Sequence, residues 1–162
     1  MNWLSRLKTA PGDAQALSPQ AEQTLRTWHA LPDAVLDRPH FESRYVVVNT
    51  EATGLDLDRD RLLAVGAVGV DGGLLHPADA YYATLDPAPG ETLAGLLGLV
   101  GKCPLVVFNA SFNRNLLERA FQEHLAFSPS FVWLDLYFLL PSLFPEKLDR
   151  PARLADWMAA FG

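Results

Sequence analysis

The stretch that decides the fold is YVVVNTEATGL, residues 45–55. Its first four residues form a continuous apolar and mostly β-branched run, which predicts a strand buried on both faces of a sheet. The polar residues that follow predict a turn at the end of this strand. Asn49 and Glu51 lie two residues apart where the strand ends. Their side chains are therefore expected on the same face of the sheet.

The segments on the C-terminal side of this strand predict a mixed α/β fold. We expect strands at residues 62–70 and 81–85, with an Asp-Gly-Gly turn at 71–73 that makes an antiparallel meander. Further along, we expect helices at 91–100, 111–125, 136–144 and 152–161, and strands at 104–109 and 131–134. Ser111 is the expected cap of the helix that begins there. Hairpins followed by strand–helix units indicate a mixed sheet flanked by helices.

The N-terminal part of the chain is expected to form a tail and one helix. Ser18 is the predicted cap of this helix, and Pro19 suits its first turn. For the first residues two interpretations are open. They form either one amphipathic turn on a membrane surface, through Trp3, Leu4 and Leu7 with Arg6 and Lys8, or a partner-docking or frayed end. We therefore divide the chain into a tail and helix at residues 1–40 and a sheet domain at residues 41–162.

Composition excludes several classes of protein. The chain has 162 residues, the size of one domain, with a formal net charge of −6 and a pI of about 5.1. This acidic balance argues against tight non-specific binding to nucleic-acid phosphates. The single cysteine, Cys103, excludes an internal disulfide and favours a reducing, cytoplasmic location. No apolar run reaches the roughly 18 residues that a membrane span needs.

Polar side chains follow two of the predicted strands. Asn49 and Glu51 end the first strand, while Asn109 ends a later strand and Asn113 lies one turn into the next helix. Ligand sites on α/β sheets collect where strands end and turns begin. The sequence therefore predicts that these two strand ends form one site.

At these two places the sequence resembles the DnaQ-like 3′-5′ exonucleases, the DEDD group of the ribonuclease H-like fold. The first motif of that family is Asp-x-Glu-Thr-Thr-Gly-Leu after a hydrophobic strand, and residues 49–55 here are NTEATGL. The second motif is Asn-x-x-Phe-Asp, and residues 109–113 are NASFN. The WLD segment at residues 133–135 is similar to the family's Val-Asp-Thr element.

The resemblance extends from about residue 45 to residue 162 and implies the fold. We expect an α/β, ribonuclease H-like domain with a mixed five-stranded sheet flanked by helices. The predicted helix before residue 40 is then an N-terminal helical extension of this fold.

The resemblance also implies the site residues. The family's metal-binding, catalytic positions fall on Asn49, Glu51 and Asn113, of which Glu51 alone is a carboxylate. The positions that contact substrate in the family fall on Thr53, Gly54, Leu55, Asn109 and Phe112. The family's His-x-x-x-x-Asp motif follows a Leu-x-x-x-Phe-Gly segment, and this chain stops at Gly162, where that motif is about to begin.

These departures predict the loss of the ordinary two-metal mechanism. The family binds two divalent ions through four carboxylates, and the ions activate water and stabilise the leaving oxygen. A charge pair near 4 Å contributes about 4 kcal/mol at an effective dielectric constant of 20, and a dication gains about twice that from each carboxylate. Glu51 alone should not hold two dications. We therefore expect no cofactor, with Mg²⁺ or Mn²⁺ bound at Glu51 only if activity is retained.

Each site residue also has a structural interpretation. Glu51 is either a surface residue at a strand end or a residual contact to a metal or an amine. Asn49 and Asn113 either bond to nearby backbone or contact a nucleotide sugar or phosphate. Gly54 either supplies a positive φ at the turn or belongs to the segment that contacts a terminal nucleotide.

Three hypotheses for function follow. The leading one is a degenerate, catalytically inactive exonuclease domain that binds a nucleotide, single-stranded nucleic acid or a protein partner. The alternative is an active metal-dependent 3′-5′ exonuclease that is completed by sequence beyond Gly162 or by a second subunit. The third is a structural homodimer domain with an empty cleft.

Overall fold

The computed structural model describes residues 16–162. Its strands are β1 (Tyr45–Ala52), β2 (Leu62–Asp71), β3 (Leu74–Thr84), β4 (Leu105–Val107) and β5 (Trp133–Asp135). Its helices over this range are α1 (Pro19–Ala30), α2 (Pro89–Val100), α3 (Ala110–Leu125), α4 (Leu136–Leu143) and α5 (Leu154–Phe161), with a 3₁₀ turn at His40–Glu42. The amphipathic turn predicted at Trp3, Leu4 and Leu7 lies outside the described residues.

The strands form one mixed sheet in the order β3-β2-β1-β4-β5. β1, β2 and β3 pair antiparallel, whereas β4 and β5 run parallel to β1. The β2–β3 hairpin closes on the pair Asp71 and Leu74, and Gly72 (φ 57°) and Gly73 (φ 77°) form its turn. The predicted α/β fold with a five-stranded mixed sheet flanked by helices is confirmed.

β3 is longer than the strand predicted at residues 81–85. It begins at Leu74, and its first five residues are all exposed, so they lack the alternation that marks a half-buried strand. A register shift in the β2–β3 pair brings Asp79 over Gly69. Arg44 Nη1 lies 2.6 Å from carboxylate oxygens of both Asp71 and Asp79, and this ion-pair network holds the shifted segment in place.

One face of the sheet carries the hydrophobic core. Val46 and Val48 of β1 point into it and are buried. They belong to the same core cluster as the apolar sides of α2 and α3, whose buried leucines include Leu93 and Leu117. Because Val46 and Val48 point into this core, the residues of β1 that alternate with them face the opposite side of the sheet.

α1 belongs to the same core. Its side chains Leu25 and Trp28 are buried among the residues of the sheet and of α2. Ser18 caps α1 as predicted, since its hydroxyl accepts a hydrogen bond from the Ala21 N–H. The Ser18 N–H and hydroxyl also donate to the Glu91 carboxylate at 2.6 and 2.8 Å, which ties α1 to the start of α2. The division of the chain at residue 40 stays a prediction.

The two C-terminal helices occur close to their predicted positions. Trp157 of α5 is buried, and the rings of Phe144 and Phe161 meet edge-on at 5.1 Å. Lys147 Nζ donates to the Ala160 carbonyl at 3.1 Å, which ties the end of α5 to the segment after α4. In the described range 16–162, neither these helices nor the others have the length and hydropathy to cross a membrane.

Candidate functional site

The end of β1 presents two polar side chains to solvent. Asn49 and Glu51 are both exposed and lie at alternate positions of the strand, on the face opposite the core. Within the part of the chain that the structure describes, neither side chain has a hydrogen-bond or ion-pair partner. Both groups are therefore free to meet a ligand.

The second strand end is held by Asp135. Its Oδ1 accepts from the Asn109 N–H at 2.9 Å and from the Tyr137 N–H at 3.0 Å, and its Oδ2 accepts from the Ala110 N–H at 2.8 Å. Asp135 thus caps α4 and joins the end of β5 to the β4–α3 turn. The two donors at the start of α3 and the one in α4 fix the positions at which both helices begin.

Asn109, rather than Ser111, caps α3, so the predicted cap is wrong by two residues. Asn109 adopts the left-handed conformation (φ 67°), and its Oδ1 accepts from the Phe112 N–H at 3.4 Å. Asparagine tolerates this backbone region better than most residues and suits a cap for the same reason. Ser111 lies inside the first turn of α3, where its backbone is already helical.

Asn113 is buried, with 4% of its surface exposed, and every polar atom of its side chain has a partner. Its amide nitrogen donates to the carbonyls of Phe108 and Asn109 at 3.0 and 2.9 Å. Its Oδ1 accepts from the Thr50 hydroxyl at 2.9 Å. The two bonds to backbone carbonyls are those that the structural interpretation of Asn113 expects, and the bond to Thr50 joins α3 to β1.

The donor set at these positions does not fit the two-metal site of the exonuclease family. Asn113 turns its nitrogen toward two carbonyls and its oxygen toward Thr50, so it has no oxygen directed at an ion. Asn49 is neutral, which leaves Glu51 as the one carboxylate of the three positions. Over residues 16–162, no group of three or more His, Cys, Asp and Glu side chains is placed to hold a metal ion.

The turn between β1 and β2 is bonded to itself. The Thr53 hydroxyl donates to Asp60 Oδ1 at 2.7 Å and accepts from the Arg61 N–H at 3.1 Å, so both of its hydrogen-bonding roles are used. Gly54 does not have a positive φ, contrary to one interpretation of the sequence. A Cβ on Gly54 would instead lie 2.9 Å from Asp60 Cγ, so a side chain at this position would displace the carboxylate that lies over it.

The remaining predicted contacts differ in accessibility. Leu55 is 87% exposed and Asn109 is exposed, so both can meet a ligand. Phe112 is half-buried and packs against the core. The predicted roles of these residues in binding substrate stay predictions.

Two residues that contribute to this region are not among the site residues that the sequence predicts. Thr50 lies between the two polar positions of β1, in the segment predicted as a turn, and its hydroxyl is the group that reaches α3. Asp60 closes the turn after β1 through its carboxylate. A carboxylate six residues after a glycine does not by itself indicate that the two residues are in contact. Whether they meet depends on how the turn folds back.

The strand order β3-β2-β1-β4-β5, with one motif at the end of β1 and the other at the start of α3, agrees with the ribonuclease H-like fold that the sequence predicts. Comparison with protein-family models finds no match. A PolC-type DNA polymerase III from Oceanobacillus iheyensis is 28% identical over 145 residues, which cover 74% of this chain and 10% of the polymerase.

Solved structures of exonuclease I share the fold. One has a TM-score of 0.58 at 17% identity and covers 73% of this chain and 35% of that chain. Another, E. coli exonuclease I in complex with a dA16 oligonucleotide, has a TM-score of 0.51 at 16% identity and covers 70% and 33%. The chain thus spans a tenth of the polymerase and about a third of these nucleases. The resemblance to the DnaQ-like 3′-5′ exonucleases is confirmed.

Proposed function

We propose that this chain is a degenerate exonuclease domain that binds a nucleotide or the 3′ end of a single strand without hydrolysing it. The observation that carries the proposal is the position of Asn113. Its side chain is buried and fully bonded to Thr50 and to two backbone carbonyls. Because all polar atoms of the Asn113 side chain are bonded within the fold, this side chain is not available to a metal ion. Glu51 is then the one carboxylate among the three positions that bind metal in the exonuclease family.

The exposed groups that remain suit a metal-free ligand site. The amides of Asn49 and Asn109 are neutral donors and acceptors, which can meet sugar hydroxyls or phosphate oxygens without a counterion. Leu55 offers an apolar surface that an unpaired base can cover. The structural neighbour that was solved with a dA16 oligonucleotide supports a single strand as the ligand class.

Protein binding is the competing version of this proposal. The formal charge of −6 disfavours long nucleic acid, because each phosphate contact must then be made against a negative protein. A short strand or a single nucleotide carries less of this repulsion. We therefore favour a 3′-terminal nucleotide over a long polynucleotide, and we treat a protein partner or a homodimer as an outcome of the experiments below. A cytoplasmic location stays a prediction.

The first experiment tests hydrolysis. The purified chain is incubated with a 3′-labelled single-stranded oligonucleotide and Mn²⁺, with Glu51→Gln as the matched control. We expect no release of label above that of the control, because one carboxylate does not assemble two metal ions. Release that disappears in Glu51→Gln overturns the proposal and establishes an active exonuclease.

The second experiment tests binding. Fluorescence anisotropy of a 5′-labelled oligonucleotide is measured in EDTA, first with a free 3′ end and then with the 3′ end blocked in a hairpin. Preference for the free end supports the proposal. Binding of neither strand overturns it, and sedimentation of the same sample then distinguishes a homodimer from a monomer.

An active exonuclease remains the second candidate, because Glu51 has kept an exposed carboxylate that the fold does not use. This candidate needs ligands from sequence beyond Gly162 or from a second subunit. It predicts that Mn²⁺-dependent cleavage appears when a longer chain or the second subunit is added and is lost in Glu51→Gln.

A further inference from the structure

The turn at residues 53–61 is closed by one carboxylate. Asp60 Oδ1 accepts from the Thr53 hydroxyl and its Oδ2 accepts from the Asp56 N–H, both at 2.7 Å. The base of the turn is closed by a bond of 3.1 Å from the Thr53 N–H to the Arg61 carbonyl. Asp60 therefore joins the beginning, the middle and the end of the same short segment.

Asp60 and Gly54 form a packed pair within this turn. The carboxylate covers Gly54 so closely that a Cβ there would lie 2.9 Å from both Cγ and Oδ1 of Asp60. Real Cβ atoms do not approach other atoms to this distance, so a side chain at Gly54 displaces Asp60. The two residues are thus expected to act as one unit rather than independently.

One side of the turn packs against the rest of the protein, and the other side is exposed to solvent. The Leu57 side chain packs against the core, and its carbonyl accepts a hydrogen bond from the Arg119 guanidinium of α3. Leu55, two residues earlier, is 87% exposed, more than the other large apolar side chains of residues 16–162. A turn closed by hydrogen bonds therefore holds an apolar side chain in solvent, four residues after Glu51 at the end of β1. Such preorganisation lowers the entropy cost of a contact.

We propose that Asp60 is a positioning residue that holds Leu55 against the face of an unpaired nucleobase. The inference rests on the proposed function, because Leu55 meets a base only if the cleft binds a nucleotide. Asp60 itself is bonded inside the turn and acts through Leu55. The ligand class this device selects is a 3′-terminal nucleotide whose base is unstacked from a neighbour.

The test compares two oligonucleotides that differ only at the 3′ terminus, one with an intact terminal base and one abasic there. Anisotropy gives the affinity ratio between them for the wild type and for Leu55→Ala, Asp60→Ala, Gly54→Ala and the double variant Gly54→Ala/Asp60→Ala. Asp58→Ala is the matched control, since it removes the same charge from the same turn and its side chain makes no hydrogen bond there. Circular dichroism verifies that each variant is folded.

We expect Leu55→Ala to weaken binding of the intact strand by about fivefold and to leave the abasic strand unchanged, as partial burial of one leucine implies. Asp60→Ala and Gly54→Ala should each cause a similar loss, and the double variant no more than either one. Asp58→Ala should change affinity by less than about twofold. A variant that is merely less stable would lower both affinities equally and leave their ratio intact.

Different failures have different meanings. If the wild type binds neither strand, the proposed function is overturned and this inference falls with it. If the wild type prefers the intact base and Asp60→Ala keeps that preference, the inference about Asp60 is overturned and the proposed function stands. Additive losses from Gly54→Ala and Asp60→Ala also overturn the inference, because they show that the two residues act separately.

Discussion

The Thr50 hydroxyl donates a hydrogen bond of 2.9 Å to Oδ1 of Asn113, and this bond joins the central strand β1 to the start of α3. Thr50 lies between the two polar positions of the first motif, but it faces the core side of the sheet, where Asn113 is buried. The two motifs are therefore joined by a hydrogen bond between two neutral side chains.

Asn113→Asp should destabilise the protein. A buried carboxylate would face the carbonyls of Phe108 and Asn109, which the amide now satisfies as donor, so the new charge would lack two partners and gain repulsion. We expect a loss of about 2–4 kcal/mol in the free energy of unfolding, measured by urea denaturation. Asn49→Asp is the control, because Asn49 is exposed, and it should change stability by about 0.5 kcal/mol or less. Equal stability of the two variants would contradict this assignment of Asn113.

Divalent metal should not stabilise the wild-type chain. Metal binding to the folded state raises stability by RT ln(1 + [L]/Kd), which is negligible when the dissociation constant is far above the metal concentration. We expect about 1 mM Mn²⁺ to shift the thermal midpoint by less than about 1 °C in the wild type. Introducing a carboxylate with Asn49→Asp should increase the shift only slightly. The side-chain oxygen of Asn113 still accepts from Thr50 and is not directed at a metal ion. A shift of several degrees in the wild type that Glu51→Gln abolishes would show a metal site.

Asp135→Ala should destabilise the junction of β5, α3 and α4. The substitution removes the acceptor for three backbone N–H groups, at 2.8, 2.9 and 3.0 Å. Because hydrogen bonds to a charged group are among the stronger ones, we expect a loss of about 2–4 kcal/mol. Asp135→Asn keeps one carbonyl oxygen and should lose about half as much. Hydrogen exchange of the Ala110 and Tyr137 amides, compared with the distant Val68 amide, localises the effect.

The turn at residues 53–61 should open at low pH. The hydrogen bonds that Asp60 accepts, chiefly from the Thr53 hydroxyl and then from the Asp56 N–H, lower the pKa of its carboxyl below the ordinary 3.8. A lowered carboxyl pKa in the folded state means that the stabilisation is fully present above pH 3.8 and is lost as the pH falls through the folded-state pKa. The Asp56 amide shift, followed by NMR, should titrate with that pKa in the wild type. In Asp60→Asn the step attributed to Asp60 should disappear, and its persistence would assign the titration to another acid of the turn.

Much of the fold follows from local pattern. The run at residues 45–48 predicts a strand because its β-branched residues favour extended backbone. The structure buries Val46 and Val48, whereas Tyr45 and Val47 on the other face are half-buried rather than buried as predicted. The Asp-Gly-Gly turn predicts the β2–β3 hairpin because both glycines adopt a left-handed conformation without steric cost. The exposed first half of β3 carries no such alternation, and it is a strand only because β2 pairs with it.

The candidate site, like the fold, follows only in part from local sequence pattern. The spacing of Asn49 and Glu51 determined that the two side chains share an exposed face, because the period of a strand is two residues. The identity of Asn113 determined that the position carries no charge. Sequence alone left open whether that amide contacts a ligand or the backbone.

The amino-acid sequence by itself thus determined most of the strand and helix pattern, the positions of the two motifs and the neutral amides at residues 49 and 113. Only the tertiary structure decided that Asn113 bonds to Thr50, that Asn109 takes over the cap from Ser111, and that Asp60 covers Gly54. The physical reason is that periodicity and charge are properties of neighbours along the chain. Hydrogen-bond partners and close approaches, in contrast, depend on which distant segments the packed core brings within a few ångströms of one another.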